Sequence, residues 1–223
     1  MAAFPFDIIG FDLDGTLLDT SGDLLAATNH ALALADRPPL TAKAIRPMIG
    51  GGARLMLQKG LDASGGGDVE AFKPTYRALL EHYEANIAVH TRPFPGAVEA
   101  IVELAALGVE AAVVTNKFER FAIKLLAELG LAARFGCVIG GDTLGKGLSK
   151  PHRAPIDEML RRCGCARAAF VGDSAFDMMA ARNAGIPAIA VSFGFLSGPV
   201  AELEADAVID SFDELIPTLR RLG

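Results

Sequence analysis

Residues 8–20 read IIGFDLDGTLLDT, in which four residues suited to a buried strand, Ile8 to Phe11, run straight into Asp12, Leu13, Asp14 and Gly15. In an extended chain successive side chains alternate between faces, so Asp12 and Asp14 are expected to point the same way with their charges close together. Such a pair calls for a positive neighbour, either a bound divalent cation, a lysine brought in by the fold, or both. Gly15 lets the backbone turn sharply where the strand ends. An Asp/Gly turn after a strand is also an ordinary structural feature, so the rest of the chain has to decide between the two meanings.

Outward from this stretch the pattern changes twice. Over 21–36, Leu24, Leu25, Thr28, Ala31 and Leu32 recur at helical spacing with Thr20 or Ser21 as N-cap. Arg37-Pro38-Pro39 breaks that helix, Thr41 can cap a short one toward Met48, and glycines 50–52 precede another in ARLMLQKGL. ASGGGD (63–68) reads as a flexible link, and 69–86 carries Phe72, Tyr76, Leu79, Leu80 and Tyr83 as an apolar stripe, with Pro74 near its start. The segment from 20 to 91 is therefore predicted all-helical. From Ala97 onward apolar strands alternate with amphipathic helices, the signature of a parallel sheet covered on both faces. Polar residues follow three of those strands, at FDLDG, VVTN (113–116) and FVGDSAFD (170–177), which places a site along the carboxyl edge.

Composition bounds the function. The chain has 223 residues, 51% hydrophobic and 22% charged, enough for a substantial core. No apolar run reaches the ~18 residues of a membrane helix, and the N-terminal MAAFPFD lacks signal-peptide character, so a cytoplasmic protein is expected. Cys137, Cys163 and Cys165 have neither an even count nor metal-ligand spacing and read as reduced packing thiols. A net charge of −6 without a basic block speaks against nucleic acid or an anionic membrane as partner, while a small anionic substrate remains compatible. The expected assembly is a monomer or homodimer.

Four ordered pieces then carry a resemblance that covers nearly the whole chain: Asp12-Leu13-Asp14-Gly15-Thr16, Thr115-Asn116, Lys150-Pro151-His152, and Gly172-Asp173-Ser174 with Asp177. Together they resemble the haloacid dehalogenase superfamily of phosphotransferases with a helical cap inserted after the first strand, and within it the phosphoglycolate phosphatase group. GGDTL ahead of the lysine-proline-histidine run adds to the likeness, although His152 is followed here by Arg153-Ala154-Pro155 where the group has proline directly. The resemblance implies an α/β fold, a doubly wound and mainly parallel Rossmann-like core of residues 1–19 and 92–223, and an all-helical cap of residues 20–91. Hinges are expected near Asp19-Thr20 and Arg92-Pro93.

The implied chemistry is Mg²⁺-dependent hydrolysis of a small phosphorylated metabolite, 2-phosphoglycolate first. Uncatalysed phosphate monoester hydrolysis is slow enough to need up to ~10²¹-fold acceleration, so several devices must combine. By resemblance Asp12 is the nucleophile that accepts the phosphoryl group and Asp14 the general acid and base. Asp12, the Asp14 carbonyl and Asp173 ligate the metal, while Asp177 and Ser174 stand behind these groups as orienting residues. Thr16, Thr115 and Asn116 hold phosphoryl oxygens, and Lys150 supplies a fixed positive charge. Arg54, beside the flexible Gly50-Gly51-Gly52, is the candidate clamp for a second anionic group such as a carboxylate. His30, His82 and His90 have no partner pattern and read as structural. A phosphatase for a sugar phosphate or pyrophosphate, a phosphosugar mutase, and a phospho-accepting receiver-like switch without turnover are the alternatives.

Overall fold

The computed structural model describes residues 4–70 and 73–223, so the Phe72 position of the predicted stripe lies outside the described residues. Strand β1 (Ile8–Phe11) is central: Ile8, Ile9 and Phe11 are fully buried, and it pairs in parallel with β4 (Glu110–Val114) on one side and β6 (Ala168–Gly172) on the other. With β5 (Val138–Ile139), β7 (Ala188–Val191) and β8 (Ala207–Ile209) the sheet runs β5-β4-β1-β6-β7-β8, every pairing parallel. The strands are apolar without alternation because helices cover both faces. Ile9 and Phe11 pack with α5 (Ala97–Ala106), α6 (Glu119–Glu128) and α9 (Leu215–Leu222); Ile8 packs on the opposite face with α7 (Ala154–Cys163) and α8 (Ala175–Ala184). Each of those β1 side chains contributes roughly 1.5–3 kcal/mol of burial.

The doubly wound sheet predicted from the alternation is present, and the chain adds β8 and α9 beyond the elements read from the sequence. Both are short, and LIPTLRRL carries a proline that masks its periodicity; Pro217 is tolerated because it falls in the first turn, where no intrahelical N–H bond is lost.

Between β2 (Leu18–Asp19) and β3 (Arg92–Pro93), which pair antiparallel, lie α1 (Ser21–Leu34), α2 (Ala42–Ile45), α3 (Ala53–Ala63) and α4 (Lys73–Ala85). Thr41 caps α2 as expected, its hydroxyl accepting from Ala44 N at 3.2 Å. Thr20 occupies the N-cap position of α1, but its hydroxyl is used elsewhere; Asp19 Oδ1 instead accepts from the Ser21 backbone N–H (3.1 Å) and hydroxyl (2.6 Å). The glycine link after α3 is tied down: Arg37 donates to Ser64 O and Gly66 O, and Gln58 bridges Gly67 O and Val69 N. Buried Asp23, in the first turn of α1, accepts from His90 N, Thr91 N and the Thr91 hydroxyl (2.7 Å), and so fastens the outgoing and returning segments together.

Candidate active site

Three neighbouring strands, β4, β1 and β6, end on the same edge, and Thr115, Asp12 and Asp173 follow their last residues. This is the crevice where parallel sheets form sites. The β1 ladder stops at Phe11, after which Leu17 N and Leu18 N both return to the Leu13 carbonyl in a tight loop. Gly15 sits in that loop at φ +90°, against the Asp173 carboxylate, where a side chain would collide.

Alternation consequently does not extend from Asp12 to Asp14, and each carboxylate has its own lysine, Lys150 for Asp12 and Lys117 for Asp14. Asp14 Oδ1 accepts from Lys117 Nζ (2.8 Å) and the Thr20 hydroxyl (2.7 Å), and its Oδ2 accepts from Lys117 Nζ at 2.6 Å. Burial acts to lower the Lys117 pKa, but the Asp14 carboxylate together with the neighbouring Tyr83 hydroxyl holds it above the usual lysine value. Sequence reasoning missed Lys117. The signal was available as the residue directly after Thr115-Asn116, but a lysine in a loop is on the surface by default.

Asp12 faces Lys150. Its Oδ1 lies 2.8 Å from Lys150 Nζ, off the hydrogen-bonding angle, so this buried oxygen is charge-paired while accepting no hydrogen bond. Lys150 Nζ directs its hydrogen bond to Asp177 Oδ1 at 2.6 Å. Asp177 Oδ2 accepts from the Ser174 N–H (3.0 Å) and hydroxyl (2.6 Å), a reciprocal cap that fixes the start of α8. Asp173 Oδ2 accepts from Phe195 N at 2.6 Å and Oδ1 from the Thr16 hydroxyl at 3.3 Å. Thr16 thus faces Asp173.

Carboxylate oxygens of Asp12, Asp173 and Asp177 lie within 4.8 Å of one another, all buried, opposite one ammonium. Burial, more than the Lys150 charge can offset, pushes the Asp12 pKa up to about 6. Burial and then the Asp12 and Asp177 charges push Asp173 well above the ordinary carboxylate range. An oxygen-only donor set with an unused Asp12 oxygen and excess negative charge fits a hard divalent cation such as Mg²⁺. Asp177 belongs to the cluster more closely than its expected supporting position suggested, whereas the Asp14 side chain is turned to Lys117.

A cavity of about 260 Å³ opens on Asp12 and Asp14 and is lined from the other side by α3 and α4. Thr115 lines it with its hydroxyl accepting from Lys117 N at 3.2 Å. Asn116 Nδ2 donates to Gly50 O (3.0 Å) and Lys150 O (3.2 Å), so this amide joins the glycine loop to the lysine loop. Gly50 adopts φ +107° at that contact. Arg54 reaches the cavity wall, but its guanidinium pairs with Glu70 and its side chain is 61% exposed. His152 Nδ1 accepts from Ala154 N at the start of α7, and His30 stacks on His82 at 4.5 Å; neither lines this cavity. The three cysteines are free thiols, half-buried, as expected.

The family profile described as "Haloacid dehalogenase-like hydrolase" matches residues 9–191. The chain belongs to that family of hydrolases and is an enzyme. It is 40% identical over 212 residues to "Phosphoglycolate phosphatase" of Agrobacterium fabrum, covering 94% of this chain and 90% of that protein. It is also 40% identical over 207 residues to the protein of that name from Caulobacter vibrioides, covering 92% and 86%. Among solved structures, "a predicted phosphoglycolate phosphatase" from Haemophilus somnus superposes with a TM-score of 0.89 at 30% identity over 96% of this chain and 98% of that one. Among the described residues no helix is long and apolar enough to cross a membrane.

Proposed function

We propose that this enzyme is an Mg²⁺-dependent phosphate monoester hydrolase whose substrate is 2-phosphoglycolate and whose intermediate is an aspartyl phosphate on Asp12. The observation that carries the reading is Asp12 itself: buried at a strand end, charge-paired with Lys150, with an oxygen that accepts no hydrogen bond and a cavity in front of it. The named relatives support the choice of substrate.

An Asp12 oxygen forms the new bond to phosphorus as the bond to the leaving alkoxide breaks, and Asp14, as general acid, passes a proton to that alkoxide. Asp14 then takes a proton from water, the water oxygen bonds to phosphorus, and the Asp12–phosphorus bond breaks to release phosphate. Lys117 and Thr20 hold Asp14 in place for both transfers. Lys150, anchored by Asp177, offsets the repulsion between Asp12 and the incoming phosphoryl oxygens. Thr115 and Asn116 line the approach of those oxygens, Thr16 is turned instead to Asp173, and Asp177 with Ser174 fixes the lysine from behind. Mg²⁺ held by Asp12, Asp173 and the Asp14 carbonyl would supply positive charge to the phosphoryl group.

Residues 20–91 act in this proposal as a cap domain on a core of 1–19 and 92–223, moving about the β2–β3 pair and excluding water when closed. The Asn116–Gly50 bond and the shared cavity lining support that division. A cytoplasmic setting, with a small phosphorylated metabolite as partner and neither nucleic acid nor membrane, fits the net charge of −6 and the free thiols.

The test is phosphate release from 2-phosphoglycolate, sugar phosphates, pyrophosphate and p-nitrophenyl phosphate, with Mg²⁺ or with EDTA. The expected outcome is metal-dependent turnover with the highest kcat/KM for 2-phosphoglycolate. A receiver-like switch would release no phosphate from any of them.

A further inference from the structure

Most of the cavity wall facing the strand ends is apolar, built from Leu24, Met56, Leu79, Phe118 and Phe121. Lys117 and Tyr83 interrupt it, with Arg54 and Tyr76 nearer its rim. Lys117 comes from the loop after β4, and Tyr83 comes from α4, with the Lys117 ammonium 4.8 Å from the Tyr83 ring centroid. The Tyr83 residue is 2% exposed, and its hydroxyl, with the Lys117 ammonium beside it, makes no well-formed hydrogen bond among the described residues, a condition that native interiors rarely leave unrelieved. Lys117 has three N–H donors and directs them at two Asp14 oxygens, which leaves donor capacity unused.

We propose that Lys117 and the Tyr83 hydroxyl form the subsite for the second anionic group of the substrate, a carboxylate separated from the phosphoryl ester by a short carbon chain. The assignment rests on the phosphatase reading of the same site and names what selects the leaving group. A carboxylate there would satisfy the orphaned hydroxyl and take a charge-assisted bond from the ammonium, inside apolar walls that strengthen both. Arg54, the other cation on this wall, is 61% exposed and already engaged by Glu70, so water screens what it can offer. A cavity of about 260 Å³ also falls below the ~300–1,000 Å³ typical of sites for drug-sized ligands, which suits a substrate of few atoms. Because Tyr83 belongs to α4 and Lys117 to the loop after β4, a phosphorylated hydroxy acid completes the subsite across both halves of the molecule.

The test compares 2-phosphoglycolate with ethyl phosphate, which replaces the carboxylate by a methyl group, in the wild type, Tyr83→Phe, Lys117→Met and the double variant. The wild type should prefer 2-phosphoglycolate in kcat/KM, and each single substitution should reduce that preference by about tenfold or more, the range of a lost charged hydrogen bond. The double variant should lose less than the product of the single losses, because both groups serve one carboxylate. Tyr83→Phe removes an unpartnered oxygen without altering shape, so it decides the matter even if Lys117→Met, which strands Asp14, fails to fold. A preference unchanged in folded Tyr83→Phe, or losses equal for both substrates, overturns the subsite while leaving the phosphatase reading intact. A wild type that releases phosphate from neither ester overturns both.

Discussion

Asp177 Oδ1 accepts a hydrogen bond from Lys150 Nζ at 2.6 Å, in a pair whose side chains are 0% and 1% exposed. The partner that fixes the lysine is therefore a different carboxylate from the one that does the proposed chemistry. Asp177→Asn keeps the shape and one acceptor but removes the charge that sets the ammonium opposite Asp12. The expected result is a fall in kcat on the order of a hundredfold, as for small misplacements of a catalytic group, with the fold retained. Steady-state kinetics at saturating Mg²⁺ check it, and an unchanged kcat would mean that Asp12 alone positions the lysine.

Asp14→Asn separates proton transfer from phosphoryl transfer. Esters with poor leaving groups need the proton from Asp14 most, so an alkyl phosphate should lose about 10²- to 10⁴-fold, the usual contribution of general acid–base catalysis. Methylumbelliferyl phosphate, with a better leaving group, should lose much less in its first step. Equal losses for the two esters would remove the acid role and leave Asp14 as a residue that only holds Lys117.

The carboxylate cluster predicts a metal-linked melting temperature. Binding at a hundred times the dissociation constant adds about 2.7 kcal/mol, which for a chain of this size corresponds to roughly 5–10 °C. Asp173→Asn should lose most of that Mg²⁺-dependent shift and keep its melting temperature in EDTA, since it removes a member of a mutually repelling buried group. Differential scanning calorimetry with Mg²⁺ and with EDTA reads both quantities.

How much of this the sequence disclosed differs between parts of the site. The sheet and its active edge were legible because buried strands read as uninterrupted apolar runs and each was followed at once by polar residues. Asp12, Lys150, Asp173 and Asp177 were singled out because their order along the chain matched a known pattern, and the structure brings them together through ion pairs and shared oxygen spacing. Periodicity could not show that β1 ends at Phe11, and so it placed Asp12 and Asp14 on one face where the fold turns them to two different lysines. Lys117, Tyr83 and Asp23 were hidden for the same reason: each gains its importance from a partner far along the chain, 103 residues away for Lys117 and 67 or 68 for Asp23. For Lys117 the one local hint was its place directly after Thr115-Asn116.

Asp23 supplies a test of the hinge that does not depend on catalysis. Asp23→Ala leaves the His90 and Thr91 donors without their buried acceptor. The expected cost is about 3 kcal/mol, set by the loss of charged hydrogen bonds, or roughly 6–12 °C in melting temperature. A melting curve matching that of the wild type would show that the β2–β3 pair alone holds the crossing segments.

The central claim is covalent phosphoryl transfer to Asp12, and the most direct measurement is acid quenching of the enzyme during turnover of 2-phosphoglycolate, followed by peptide mass analysis. The account predicts a peptide containing Asp12 that carries one added phosphoryl group during turnover, no such species in Asp12→Asn, and no phosphate release by that variant. Steady phosphate release from Asp12→Asn at the wild-type rate, or a phosphoryl group trapped on another residue, would contradict it.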